Sequence, residues 1–166
     1  KVQYAIQSEQ LGSGHAVACA KDLIKPETDN IIVLYCDHPF LSAESLKKCA
    51  ATKIEAVMVM TTKLADFDDW RHNFYHWGRF VRNAENEIER IVEFKDATPE
   101  EQTITGVYPG FMAFNSSWLW PNLKLLSNDN AQHEFYLTSL PGMAFAEGYK
   151  IPSISIEARE AMGINS

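Results

Sequence analysis

The chain has 166 residues, 46% of them hydrophobic and 22% charged, the balance of one globular domain with a single core rather than of a disordered chain. Its 15 basic and 22 acidic residues give a formal charge of −7, and no basic run could neutralise a row of phosphates, which excludes nucleic acid from the expected partners. No apolar stretch reaches the roughly 18 residues of a membrane span. Lys1-Val2-Gln3-Tyr4-Ala5 lacks the apolar core of a signal peptide. Cys19, Cys36 and Cys49 form no C-x-x-C pair. Free thiols, a cytoplasmic location and no membrane partner are therefore expected.

Apolar runs alternate with helical patterns, which predicts an α/β domain. Val2–Ile6 reads as a short strand. Ser13 can cap a helix with Val17, Ala20, Leu23 and Ile24 on one side, stopped by Pro26. Ile31–Tyr35 is a continuous apolar run, as expected of a strand buried on both faces. Ser42 can cap a helix bearing Leu46, Cys49 and Ala50, and Ala56–Met60 reads as another buried strand. Gly78–Arg82 and Ile88–Glu93 flank the polar turn Asn83–Asn86, the pattern of an antiparallel hairpin. Thr98-Pro99-Glu100-Glu101 combines a capping box with proline at the first helical position. Val107–Phe114 reads as a strand, Ser116–Leu126 as a helix interrupted at Pro121, Glu134–Glu147 as a helix stopped by Gly148, and Ile151–Ile156 as a last strand.

Three places could carry chemistry. Asp37 follows a buried-strand pattern, at the carboxyl end where open α/β sheets bind ligands. A carboxylate there suits Mg²⁺, or equally a turn or helix cap. Gly12-Ser13-Gly14 joins a strand pattern to a helix and lets backbone approach a ligand, though an ordinary turn has the same composition. Asn128–Glu134 is a dense polar run that fits a solvated loop. His72 and His76 are spaced i, i+4, but Asn73 follows His72 where a zinc helix needs Glu. Trp70, Phe74, Tyr75 and Trp77 read as a cluster packing a loop.

Taken together these segments are more specific. Gln7-Ser8-Glu9-Gln10-Leu11-Gly12-Ser13-Gly14-His15-Ala16 resembles the Q-x-E-Q-L-G-T-G-H-A segment of N-acetylglucosamine-1-phosphate uridylyltransferases. In the same order, Leu34–Leu41 resembles L-Y-G-D-x-P-L-L, Ile91–Ala97 resembles I-V-E-x-K-D-A, Asn130–Thr138 resembles N-A-Q-G-E-Y-Y-L-T, and Gly163-Ile164-Asn165 resembles G-V-N. The resemblance implies a Rossmann-like three-layer α/β/α (GT-A-like) nucleotide-diphospho-sugar transferase domain with a small antiparallel hairpin insertion. It implies uridylyl transfer from UTP to N-acetylglucosamine 1-phosphate with Mg²⁺, in the supply of cell-envelope precursors. Carried over, Gln7, Gly12, Ser13, Tyr35, Cys36 and Asp37 would bind the nucleotide. Gly78, Glu93 and Tyr108 would line the sugar end, and Asp37 and Asn165 would hold the metal, Asp37 being the catalytic residue.

The sequence departs from that pattern at the sugar end. Cys36 stands for Gly, Asn73–Arg79 is bulkier than N-P-T-G-Y-G-R, Tyr108-Pro109-Gly110 replaces N-T-G, and His133 and Ser139 replace Gly and Asp. No glycine-rich triphosphate loop with its Lys, and no hexapeptide repeat of an acetyltransferase β-helix, is found in residues 1–166. The resemblance thus implies a partial domain, with no efficient turnover expected from these residues alone. The alternatives are a non-catalytic nucleotide-sugar-binding remnant and a nucleotidyltransferase for a different sugar 1-phosphate.

Overall fold

A computed structural model describes residues 2–164. Its strands are β1 (Asn30–Val33), β2 (Val57–Lys63), β3 (Arg79–Arg82), β4 (Ile88–Val92), β5 (Gly106–Val107), β6 (Met112–Asn115) and β7 (Ser153–Ser155). The helices are α1 (Ser13–Cys19), α2 (Ala43–Ala51), α3 (Pro99–Gln102), α4 (Ser116–Leu123) and α5 (Ser139–Ala146), with 3-10 turns at Lys21–Leu23 and Asp69–Phe74. The strands lie in the order β1-β6-β2-β5-β3-β4, and β7 also pairs with β2. Only the β2–β7 pairing is parallel; the others described are antiparallel.

The central strand β2 explains the layers. Successive side chains on a strand point to opposite faces. Val57 and Val59 join the core formed with Trp118 and Leu119 of α4 and Leu140 and Ala144 of α5. Met58 and Met60 join the core formed with Cys49 of α2, Ile156 and Ala161. Both faces of the sheet are covered, which gives the three-layer α/β/α arrangement with a mostly antiparallel sheet.

Local chemistry sets several boundaries as expected. The Ser42 hydroxyl accepts from the Ser45 N–H (3.1 Å) at the start of α2. At α3, the Thr98 N–H donates to Glu101 Oε2 (2.8 Å), while the Glu101 N–H donates to Thr98 Oγ1 (3.2 Å). Strands β3 and β4 form the hairpin, and Gly148, at φ 88°, stops the helical region after α5.

Other expectations are corrected. Val2–Ile6 is not a strand: no neighbouring strand pairs with it, and Val2, Tyr4 and Ile6 stand 74–85% exposed. The strand over Ile31–Tyr35 is not buried on both faces. It is β1, an edge strand paired only with β6 among the described residues, and its residues alternate between exposed and half-buried. Helix α1 ends at Cys19, and its N-cap is Gly12 rather than Ser13. On α2 the buried positions are Ser45 and Cys49, because Ser45 Oγ donates to Glu160 Oε2 (2.8 Å). Helix α4 runs through Pro121, held by Asn115 Oδ1, which accepts from the N–H groups of Ser117 (3.1 Å) and Trp118 (3.2 Å). Residues 134–138 are not helical. Asn130 Oδ1 accepts from the Glu134 N–H (3.2 Å) and the Phe135 N–H donates to Leu11 O (2.8 Å), so residues 134–136 are irregular, a turn follows at 137–138, and α5 begins at Ser139. The expected strand Val107–Phe114 is divided. Pro109 cannot donate to a ladder, and Gly110 takes φ 87°, so Tyr108–Phe111 leaves the sheet as a loop.

Candidate functional site

That loop helps close a cavity of about 440 Å³. The turn after β1 contributes Tyr35, Asp37 and His38. The approach to β3 contributes Asn73, Phe74, His76, Trp77 and Gly78. Glu93 enters from the end of β4, Tyr108-Pro109-Gly110 from the β5–β6 link, and Met162 and Gly163 from the last described segment. The C-terminal segment is fastened there: the Ile164 N–H donates to Asp37 O (2.7 Å), and Glu160 Oε2 accepts from the Ser42 N–H (2.9 Å). A Cβ on Gly110 would lie 2.5 Å from the Tyr35 ring, so only glycine lets the loop pack on that ring.

Of the residues proposed from sequence, Tyr35, Asp37, Gly78, Glu93 and Tyr108 line this one cavity. Gln7, Gly12, Ser13 and Cys36 do not line it. Gln7 Nε2 instead donates to Gly12 O (3.1 Å) and lies 3.1 Å from His15 Nδ1. The Gly12–Gly14 turn is docked on residues 134–137. The Gly14 N–H donates to Phe135 O (2.8 Å), and the Leu137 N–H donates to Ser13 Oγ (3.0 Å). A Cβ on Gly12 would meet Glu134 Cβ and the Phe135 backbone at 2.8 Å. The polar run is thus a structural bridge: Asn130 braces it internally, and the Ala131 N–H donates to Asp96 Oδ1 (2.8 Å). Cys36 is exposed. Asn165 lies outside the described residues.

The floor of the cavity is acidic and phenolic. Burial pushes the Glu93 carboxyl up; the Thr138 hydroxyl, donating to Glu93 Oε1 (2.7 Å), pulls the other way, and Asp96 and Glu134 add to the rise. Burial also raises the Tyr35 phenol, with Glu93 adding to the effect and Ser13 opposing it. The Tyr108 phenol is raised most strongly by burial, then by Tyr35 and Glu93. Behind Glu93, Tyr136 is pushed up to about 12 by burial and the neighbouring Asp96 and Glu93. Burial lowers the His38 imidazole, and Asp37 only partly offsets this. His38 stacks on Trp77 with ring centroids 5.5 Å apart and meets Phe111 edge-on at 5.2 Å.

Arg79 holds the aromatic wall in place, a role the sequence reading missed. Its side chain is fully buried. Nη1 donates to Trp77 O and Nη2 to Tyr75 O (2.6 Å), with longer bonds to Gln102 O. Its guanidinium carbon lies 4.7 Å from the Phe67 ring centroid and 5.3 Å from that of Phe94. A planar, always-charged fork suits this set of carbonyls and rings. Thr138 and His38 were also missed as site residues. Thr138 is the last residue of the resembling Asn130–Thr138 run, whereas nothing along the chain links Arg79 to Gln102.

The metal question turns on Asp37. Its carboxylate is about half exposed at the cavity, and its near cationic-capable neighbour is His38, with Nε2 at 3.7 Å. Among the described residues no group of three or more His, Cys, Asp or Glu side chains could together hold a metal. One carboxylate beside open space fits Mg²⁺, which keeps waters and substrate oxygens in its octahedron.

A solved structure of UDP-glucose pyrophosphorylase complexed with UDP-glucose matches the fold, with a TM-score of 0.64 at 15% identity over 91% of this chain and 56% of that one. The chain accordingly shares the α/β fold of that pyrophosphorylase. Along its sequence the chain is a homologue of part of the bifunctional proteins GlmU. It is 40% identical over 166 residues to that of Corynebacterium efficiens, covering 99% of this chain and 33% of the relative. Identity to GlmU of Ruegeria sp. is 38% over 162 residues, 97% of this chain and 34% of the relative. Identity to GlmU of Caldicellulosiruptor saccharolyticus is 36% over 166 residues, 99% and 35% respectively. The chain therefore spans about a third of the length of these relatives. No family model matches it. No helix among the described residues is long and apolar enough to cross a membrane.

Proposed function

We propose that the chain serves nucleotidyl transfer to a sugar 1-phosphate, with UTP and N-acetylglucosamine 1-phosphate as substrates and UDP-N-acetylglucosamine and pyrophosphate as products. The observation that carries this reading is the convergence of Tyr35, Asp37, Gly78, Glu93 and Tyr108 on one 440 Å³ cavity in a chain homologous to GlmU. A phosphate oxygen of the sugar 1-phosphate forms a bond to the α-phosphorus of UTP. The bond from that phosphorus to its bridging oxygen breaks, and pyrophosphate leaves with the electron pair.

Both reactants are anions, and the chain carries −7. Asp37, and by the resemblance Asn165, would hold a Mg²⁺ ion, which would supply the positive charge that such a transfer needs. The protein's own groups position the partners. Glu93, with Oε1 occupied by Thr138, keeps Oε2 for a sugar hydroxyl. A Cβ on Gly78 would press on Ile91 Cγ2 (3.2 Å) and Val92 O (3.3 Å) and only touch Glu93 Oε2 (3.6 Å). By the resemblance, Tyr35 and the Gly12-Ser13 turn would flank the nucleotide; Gln7 Nε2 braces that turn by donating to Gly12 O, and Cys36 beside Tyr35 and Asp37 in the chain is exposed.

A second reading, a different sugar 1-phosphate, is favoured by the bulk of Phe74, His76, Trp77 and Tyr108 around the sugar end. Titration calorimetry with UDP-N-acetylglucosamine and UDP-glucose, with and without Mg²⁺, tests both. Saturable binding strengthened by Mg²⁺ is expected, and the tighter ligand identifies the sugar. No binding of UDP or either UDP-sugar would overturn the proposal.

A further inference from the structure

Two irregular stretches run side by side at the rim of the cavity. One is 37–42, between β1 and α2, and the other is 160–164, beyond β7. They meet at three points in antiparallel order. The Ile164 N–H donates to Asp37 O (2.7 Å). The His38 ring lies so close to Gly163 that a Cβ there would meet Nε2 at 2.9 Å and Cδ2 at 3.0 Å. At the far end, Glu160 Oε2 accepts from the Ser42 N–H (2.9 Å) and from Ser45 Oγ (2.8 Å).

The Glu160 contact is the strongest polar one of the set. A carboxylate at the start of a helix is favoured by the helix dipole, and a charge-assisted hydrogen bond is roughly twice as strong as a neutral one. Burial pushes the Glu160 carboxyl up, but the bonds from Ser42 and Ser45 outweigh it and hold the group below its ordinary value. Among the described residues, 157–164 makes no hydrogen bond to the rest of the chain apart from those of Glu160 and Ile164. The fully buried Ala161 is its apolar anchor. Asp37, His38, Met162 and Gly163 line the cavity, whereas Glu160 does not.

From this three-point register we infer that Glu160 is a positioning residue for the cavity: bound across the start of α2, it holds 160–164 against 37–42 and keeps Asp37 and Gly163 together on one rim. Without that contact the binding-competent arrangement is a smaller fraction of the molecules, and the apparent affinity falls with that fraction. The inference rests on the proposed nucleotide-sugar reading and adds to it a residue, remote from the ligand, on which the shape of the site depends.

Hydrogen exchange and calorimetry on the full 166-residue chain test it, in the wild type, Glu160→Ala and Glu160→Gln. The Ser42 N–H loses its acceptor directly in Glu160→Ala, so the informative amide is Ile164, at the other end of the contact. In Glu160→Ala, Ile164 is expected to exchange about tenfold faster, and the tighter of UDP-N-acetylglucosamine and UDP-glucose to bind about tenfold more weakly. The Val59 and Met60 amides of β2 should be unaffected. Glutamine keeps a carbonyl for both donors, and Glu160→Gln is expected to bring both readings back to within about threefold of wild type. An unchanged Ile164 exchange rate, or an affinity within about twofold of wild type in folded Glu160→Ala, overturns the inference and leaves the nucleotide-sugar reading standing. Acceleration shared equally by Val59 and Met60 marks a general loosening and overturns it too. Failure of UDP and of both UDP-sugars to bind the wild type brings down that reading and this inference with it. Should Glu160→Ala not fold, the wild type decides: by linkage, a saturating UDP-sugar is expected to slow exchange at both Ser42 and Ile164 about tenfold, and no slowing at Ser42 overturns the role of Glu160.

Discussion

At the residue scale, Glu93 and Arg79 carry opposite kinds of buried charge. The folded-state pKa of Glu93 is raised above its ordinary 4.5, chiefly by burial. The folded state therefore binds the proton more tightly than the unfolded chain, so this group's contribution is present at low pH and is lost as pH rises through the raised value. Thermal melts at a series of pH values are expected to show wild type losing stability relative to Glu93→Gln as pH climbs above 4.5. A constant difference between the two proteins across that range would contradict the assignment. Arg79 has no carboxylate partner in the described structure; carbonyls and aromatic faces satisfy it. Lysine keeps the charge but not the fork. Arg79→Lys is expected to cost about 2–4 kcal/mol in urea unfolding, because two or three buried carbonyls lose their donor. A change below about 0.5 kcal/mol would show that the fork is dispensable. The Tyr35–Asp37 and Glu93 assignments were legible along the chain because local strings carried them. The buried fork of Arg79 was not, since its partners lie at Tyr75, Trp77 and Gln102.

At the element scale, the decisive event is the break between β5 and β6. An apolar run from Val107 to Phe114 has the composition of a single strand, and periodicity alone cannot tell a continuous strand from two short ones. Proline without an N–H, followed by glycine at φ 87°, makes the difference and turns Tyr108 towards the cavity. Gly110→Ala is expected to destabilise the fold by about 1–3 kcal/mol through the strained φ. It should also weaken UDP-sugar binding, because the new Cβ would sit 2.5 Å from the Tyr35 ring. Calorimetry beside denaturant unfolding separates the two effects, and wild-type values in both would refute the packing argument. The same competition between local pattern and long-range bonding shortened the helix expected over 134–147. Helical periodicity was present there, but Asn130 and Leu11 claim the backbone of Glu134 and Phe135.

At the scale of the whole molecule, β1 is the exposed margin of the sheet. Ile32 is 37% and Leu34 42% exposed, and no described strand pairs with the outer edge of β1. An open edge bearing apolar side chains is a template for pairing between chains. Ile32→Lys is expected to reduce concentration-dependent self-association in light scattering while leaving the unfolding midpoint nearly unchanged. Equal scattering by both proteins would show that the edge is not used. The segmental likeness to uridylyltransferases was readable because it lies in short contiguous strings, and the alternation of apolar runs with helices specified an α/β domain. The sequence by itself determined the hairpin, the helix caps at Ser42 and Thr98 and the buried strand at its centre. Tertiary structure alone decided which residues share a cavity, that β1 lies at an edge, and that Tyr108 lies buried beside Glu93. Those outcomes depend on contacts between segments far apart in the chain, whose free energies no local pattern contains.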